Sequence, residues 1–219
     1  MIKLAVFDWN GTLLADFNAT HEGGNKIFEF YGYAPISAQE YRRHFTIPFS
    51  KTLQNIGIPL EAIKEKGVES ARIFHEYYEP RAARARTRKG TRAMLEELKK
   101  EGVICIILSN HTVENIYLHL TRLKLTDYFD AVLANENMDG SMHIGKQHRL
   151  EVYLKESHIK PQQSIIVGDT VEEIYIGRNL GLKTVAITGG YHTTQRLKDA
   201  KPDLIINSLN DIIKITEDL

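Results

Sequence analysis

The chain has 219 residues, enough to bury a full hydrophobic interior as one large domain or as a core with a smaller attachment. Lys plus Arg equals Asp plus Glu at 28 each, so no net field draws it to nucleic acid or to an anionic membrane, and a small-molecule partner is expected. A single Cys excludes a disulfide framework, no apolar stretch reaches membrane-span length, and Met1-Ile2-Lys3 leads into a strand pattern rather than a signal peptide; a cytoplasmic protein, monomer or homodimer, is expected.

The first apolar run, Leu4 to Phe7, predicts a strand covered on both faces, as in a parallel sheet. It delivers Asp8 to the carboxyl edge, where open parallel sheets collect ligands, and Gly11 lets the backbone turn sharply there. Residues 16–85 then pass without a strand pattern, while helical spacing recurs at 25–30, 38–44, 51–56 and 60–78, which predicts an inserted all-helical domain. Ser37-Ala38-Gln39-Glu40 has the spacing of a capping box, and Ser50 and Pro59 are expected to start the next two helices. The basic run from Arg81 to Arg92 raises phosphate-backbone binding, but no aromatic residues interleave its charges and residues 16–85 hold nine basic and nine acidic side chains. A solvated hinge face is expected there instead.

Beyond it, strand patterns at 103–108, 131–134, 165–167, 184–187 and 204–206 alternate with helical patterns at 91–100, 113–123, 147–157, 171–180 and 193–199, several closed by a Gly such as Gly102 or Gly181. The alternation predicts an α/β fold, a Rossmann-like doubly wound parallel sheet with helices on both faces. Cys105, inside the second strand pattern, reads as a small buried hydrophobe.

Three later positions fall at the same sheet edge as Asp8. Ser109-Asn110 follow a strand and offer a hydroxyl and backbone amides to an anionic oxygen. Gly168-Asp169-Thr170-Val171-Glu172-Glu173 place a second carboxylate at a strand end, with more acid on the first helical turn. Gly145-Lys146 put an ammonium at a helix N-terminus that already favours anions. Each alone has an ordinary explanation: Asp169 and Glu173 as helix-start acids, Lys146 as a surface charge, Ser109 as a cap. Asp8 is harder to dismiss, because a carboxylate ending a buried strand needs compensation. His143 and His148 flank Lys146, but with no Cys partners a zinc site is not expected.

The order of these features resembles the haloacid dehalogenase superfamily, in its phosphoglycolate-phosphatase-like branch. Asp8-Trp9-Asn10-Gly11-Thr12 is similar to its first motif, Ile107-Leu108-Ser109-Asn110 to its second, Lys146 to its third and Gly168 to Glu173 to its fourth. Gly177-Arg178-Asn179-Leu180-Gly181-Leu182-Lys183-Thr184-Val185 resembles the stretch that follows. The resemblance implies a catalytic core of residues 1–15 and 86–219 and a helical cap of residues 16–85. It implies a magnesium-dependent phosphatase of small phosphorylated metabolites: Asp8 attacks phosphorus, and Asp8, the Asn10 carbonyl and Asp169 hold Mg2+ while Glu173 acts on its waters. Ser109, Asn110 and Lys146 grip the phosphate oxygens.

Asn10 departs from the pattern. Phosphatases of the family carry an Asp there that protonates the leaving oxygen and then activates water, and an amide does neither, a loss of about 10²–10⁴-fold in rate. Dehalogenation is disfavoured, since it would not need the acidic fourth motif. Phosphonate cleavage would need a Schiff-base Lys, which none of Lys26, Lys51, Lys64 and Lys66 is marked to be. Four outcomes stay open: esters with good leaving groups such as acyl or aryl phosphates, a recruited acid such as His44 or Glu172, a weak or inactive phospho-ligand-binding protein, or deamidation at Asn10-Gly11. Phosphoryl transfer to a second sugar hydroxyl is a further reading. In capped relatives the segment matching Arg42 to Phe49 faces the site, which makes Arg43, His44 and Thr46 candidate substrate contacts.

Overall fold

The structure is a computed structural model that describes residues 1–136 and 145–217. Six strands, β1 (Leu4–Phe7), β2 (Ile104–Thr112), β3 (Ala131–Asn135), β4 (Ser164–Gly168), β5 (Lys183–Ile187) and β6 (Leu204–Ile206), form one parallel sheet in the order β3-β2-β1-β4-β5-β6. Side chains alternate along each strand, and both faces are apolar. Ala5, Phe7, Cys105, Ile107, Ile165 and Val167 pack on one face with α5 (Thr91–Lys100), α6 (Val113–Leu123) and α10 (Asp211–Glu217). Leu4, Val6, Ile106, Leu108 and Ile166 pack on the other with α7 (Lys146–Ser157) and α8 (Val171–Leu180). Leu197 of α9 (Thr194–Asp199) joins Ile174 and Ala186 in a smaller cluster. This is the doubly wound α/β architecture that the alternation predicts. Cys105 is buried, and desolvation pushes its thiol up to about 12, so it packs as a hydrophobe.

The register fixes the functional edge. Phe7 lies opposite Ile107 on one side and Val167 on the other, so Asp8 and Asp169 leave β1 and β4 beside Ser109, which with Asn110 lies inside the longer β2 rather than past a strand end as expected. The Asp8 N–H still donates to the Val167 carbonyl at 3.0 Å, holding the ladder one residue past β1.

Between β1 and α5 come α1 (Phe17–Phe30), α2 (Ala38–His44), α3 (Phe49–Asn55) and α4 (Leu60–Ala82), and no strand of the sheet. Their apolar faces meet around Phe17, Phe28, Tyr41, Leu53 and Ile63, with Tyr191 contributed by the segment after β5. The Ser37 hydroxyl accepts the Glu40 N–H at 3.2 Å, as its spacing predicts, and Pro59 sits at the N-cap of α4.

Five further departures from expectation stand out. Helix α1 starts at Phe17 rather than near residue 25, because Gly23 and Gly24, poor helix formers, are used for contact: a Cβ on Gly24 would stand 2.5 Å from the Tyr41 ring. Ser50 lies inside α3, whose N-cap is Pro48, already fixed in an extended conformation. Helix α4 continues through Pro80 to Ala82, and α10 has no counterpart in the sequence reading. The basic run is not uniformly solvated, since Arg88 is partly buried and donates to the carbonyls of Gly11 at 2.9 Å and Thr188 at 2.6 Å.

The chain leaves and re-enters the sheet layer through two paired segments. Leu14 and Thr87 form an antiparallel bridge, with Ala15 N–H on Arg86 O and Arg88 N–H on Leu13 O, each at 2.8 Å. Among the described residues no helix is long and apolar enough to cross a membrane.

Candidate active site

Asp8 ends β1 with only 7% of its surface exposed. Lys146, the first residue of α7, reaches it with Nζ 2.8 Å from Oδ1, contacts the Glu173 carboxylate, and lies 3.6 Å from Glu172. Burial alone would lower the pKa of the ammonium, but Asp8 and Glu173 reverse that and raise Lys146 above its ordinary value. Burial also pushes Asp8 well up; Lys146 opposes this, and Glu173 and Asp169 add to it. Asp169, fully buried beyond β4, is raised to about 7, mainly by desolvation, against hydrogen bonds from Thr12 Oγ1 at 2.6 Å and the Tyr191 N–H at 2.6 Å.

Glycine makes this crowding possible. Gly11 has φ +77°, and a Cβ there would stand 2.5 Å from Asp169 Oδ2 and from the Tyr191 ring.

Of the candidate residues, Asp8, Asn10, Ser109, Asn110, Lys146 and Glu173 line one cavity of about 460 Å³, and Asp169 lies behind it, bridged to Asp8 by the Thr12 hydroxyl. Glu173, expected on the waters of a metal, is already bound at both oxygens, one to Lys146 and the other to Thr170 Oγ1 at 2.7 Å. Lys146 holds it well enough to lower its pKa despite burial. Asn110 turns its amide to Glu172 at 2.8 Å. Arg43 and His44 do not line the cavity; both lie near Glu40, at 3.9 and 3.5 Å. Thr46 lines a neighbouring groove with Glu172 and Arg196. Arg42 stacks on Phe17, 3.5 Å from the ring centre, and donates to the Gly190 carbonyl. His143 lies outside the described residues, and His148 is exposed beside Glu151.

Asn10 belongs to a network that the sequence did not reveal. Its amide donates both hydrogens, to Asp16 Oδ2 at 2.7 Å and to the Tyr78 hydroxyl at 2.8 Å. Asp16, 1% exposed, also accepts from Tyr78 OH at 2.8 Å, Tyr191 OH at 2.9 Å and the Gly11 N–H at 2.9 Å. Burial pushes Asp16 up while these donors pull it down. Tyr78, 62 residues away on α4, and Tyr191, 175 away, carried no local signal. His111 was also missed; it lines the cavity two residues beyond Ser109.

Against known proteins, the family model for haloacid dehalogenase-like hydrolases matches residues 5–187. The chain belongs to that family. Within the haloacid dehalogenase-like hydrolases it is similar to a pyrophosphatase PpaX of Bacillus anthracis (strain CDC 684 / NRRL 3495), 26% identical over all of this chain and 98% of that one. A structure described as a predicted phosphatase from Clostridium acetobutylicum has the same fold, with TM-score 0.84 and 18% identity over the whole of both chains. A haloacid dehalogenase-like family hydrolase from Streptococcus pneumoniae does too, with TM-score 0.82 and 21% identity over 98% of each chain.

The donor set fits a magnesium ion. Asp8 and Asp169 are hard oxygen donors on adjacent strands, and the buried carboxylates of Asp8, Asp169 and Glu173 outnumber the one buried ammonium, which leaves an excess negative charge for a cation to neutralise.

Proposed function

We propose that this protein is a magnesium-dependent phosphatase of small phosphate monoesters, with Asp8 as nucleophile and the helices of residues 16–85 as a cap over the site. The observation that carries the reading is a buried Asp8 carboxylate paired with Lys146 at 2.8 Å beside Asp169 on the next strand. Family membership and the names of the relatives support it. In this reading Asp8 attacks phosphorus and forms an aspartyl phosphate, which divides one difficult displacement into two. Lys146 and Ser109 hold the nonbridging oxygens, and Glu173 keeps Lys146 charged and in place. Magnesium, held by Asp8, the Asn10 carbonyl and Asp169, would neutralise charge on the phosphoryl group. The setting is cytoplasmic, with a phosphorylated metabolite as partner.

A second reading is a phospho-ligand-binding protein with little turnover, favoured by the commitment of both Asn10 amide hydrogens to Asp16 and Tyr78. Phosphate release with magnesium separates the two. Activity that vanishes in Asp8→Asn supports the phosphatase, and magnesium-dependent binding without release in the native chain supports the second reading.

A further inference from the structure

Beside the catalytic groups, the lining of the cavity is largely hydrocarbon, with Thr20, Ser50, Ser70 and His75 as its polar members. Its wall is built by Ile27, Phe45, Phe49, Leu53, Phe74 and Tyr191, drawn from α1, α2–α4 and the segment after β5. Among the described lining residues Lys146 is the one Lys or Arg, and it is committed to Asp8 and Glu173. The stretch 137–144, Asn-Met-Asp-Gly-Ser-Met-His-Ile, contributes neither residue type. Arg42, in the sequence segment expected to read substrate, is committed to Phe17 and to the Gly190 carbonyl. A second phosphate or a carboxylate in this space would be desolvated without an uncommitted Lys or Arg among the described lining residues, with only neutral groups such as the Ser50 hydroxyl to meet it.

The leaving-group side gives an independent constraint. Both Asn10 hydrogens and the Tyr78 proton are directed to acceptors inside the Asp16 network, so none of these groups protonates a departing oxygen. A phenol ionises near pH 10, as the Tyr side chain does, whereas an aliphatic alcohol is about as weak an acid as water, at about 15.7. A phenolate departs without the acid that an alkoxide needs. His111 adds a directional donor: its Nδ1 accepts the Thr112 N–H at 2.8 Å, so the neutral ring carries its proton on Nε2. That atom is buried and has no hydrogen-bond partner among the described residues.

We propose that the substrate is an aryl phosphate, a monoester whose organic part is an uncharged ring that fills the aromatic end of the cavity and accepts a hydrogen bond from His111. The inference rests on the phosphatase reading of Asp8. The Asp8 oxygen bonds to phosphorus as the aryl O–P bond breaks, and the phenolate takes a proton from solvent. Water then attacks phosphorus, releasing phosphate and restoring the carboxylate, so the sum is aryl phosphate plus water to phenol plus hydrogen phosphate.

Because aryl phosphates carry good leaving groups in any phosphatase, binding decides the substrate class and turnover decides the chemistry. With magnesium present, calorimetric affinities of the Asp8→Asn protein for 2-naphthyl phosphate, pyrophosphate and phosphoglycolate are compared, alongside phosphate release by the native chain. The expected result is binding of naphthyl phosphate at least tenfold tighter than either competitor with a second anionic group, weakened severalfold in His111→Phe and retained in His111→Gln. Equal or tighter binding of pyrophosphate or phosphoglycolate would overturn the aryl assignment. Tight naphthyl phosphate binding with no phosphate release by the native chain would leave the ligand class standing and remove the phosphatase reading beneath it.

Discussion

At the scale of single residues the site is governed by Asp16, a charge that the strand pattern did not mark. Four donors converge on it, and they come from the turn after β1, from α4 and from the segment after β5. Removing the acceptor while keeping those buried donors costs about 2–4 kcal/mol, so Asp16→Ala is expected to lose stability on that scale in urea unfolding. A loss below about 0.5 kcal/mol would mean that the network is not an anchor. Asn10→Asp places a carboxylate where an amide now donates 2.7 Å from Asp16. Two such carboxylates share a proton rather than both ionise, so this variant gains an acid beside Asp8. Turnover of aliphatic phosphate esters should rise by about 10²-fold or more relative to native, with little gain on aryl esters; equal gains on both would refute the leaving-group argument. The expectation of deamidation at Asn10-Gly11 also meets an obstacle. The Gly11 nitrogen that would attack the amide donates to Asp16 at 2.9 Å and to Leu14 O at 3.0 Å, so intact-mass spectra of aged protein should show no one-unit gain in this peptide.

At the scale of elements, local patterns located most of the sheet. The β1 pattern at 4–7 and the β6 pattern at 204–206 coincide with the strands, and the helical spacing of 91–100 and 113–123 coincides with α5 and α6. The helices bury one face and so display its period, while β1, buried on both faces, reads as a continuous apolar run. The first half of α1 was illegible because its glycines are chosen for what approaches them rather than for helix formation. Gly24→Ala would press a methyl group into the Tyr41 ring and is expected to cost about 1–3 kcal/mol, measurable as a lower urea midpoint at unchanged slope. The same limit applied to the site. Asp8, Asp169 and Lys146 were legible because each sits at a strand end or helix start, and Ser109 because it ends the apolar run of β2, whereas Asp16, Tyr78, His111 and Tyr191 meet through packing between distant stretches. His192 is another such residue: its Nδ1 accepts the Val171 N–H at 3.1 Å, tying the segment after β5 to the first turn of α8, and burial lowers it to about 4. Its ordinary value is 6.5, so the unfolded chain takes the proton first as pH falls. Its contribution is complete above about 6.5 and is lost progressively toward 4, by about 3 kcal/mol. The stability difference between native and His192→Asn should therefore shrink over that interval, and a constant difference would count against a neutral buried ring.

At the scale of the whole molecule, two bodies of packing meet at one cavity. The sheet edge presents Asp8 and Ser109 with Asp169 behind them, α7 adds Lys146, and the helices of residues 16–85 contribute most of the apolar wall. Without a cation, the carboxylates at the sheet edge repel one another, so magnesium should raise the melting temperature in a concentration-dependent way, and chelation should reverse it. Asp169→Asn should blunt the shift; an undiminished shift in that variant would place the ion elsewhere.

The strand register has a consequence of its own. Asp8 and Asp169 stand just past the paired residues Phe7 and Val167, and the spacing of neighbouring strands in any sheet is about 4.8 Å. The gap between the two carboxylates is therefore measured by backbone hydrogen bonds, which every amino acid supplies alike. Side-chain drift in the surrounding wall can retune which molecule enters while leaving this ruler untouched, so new specificities should be reachable by substitutions confined to the helices.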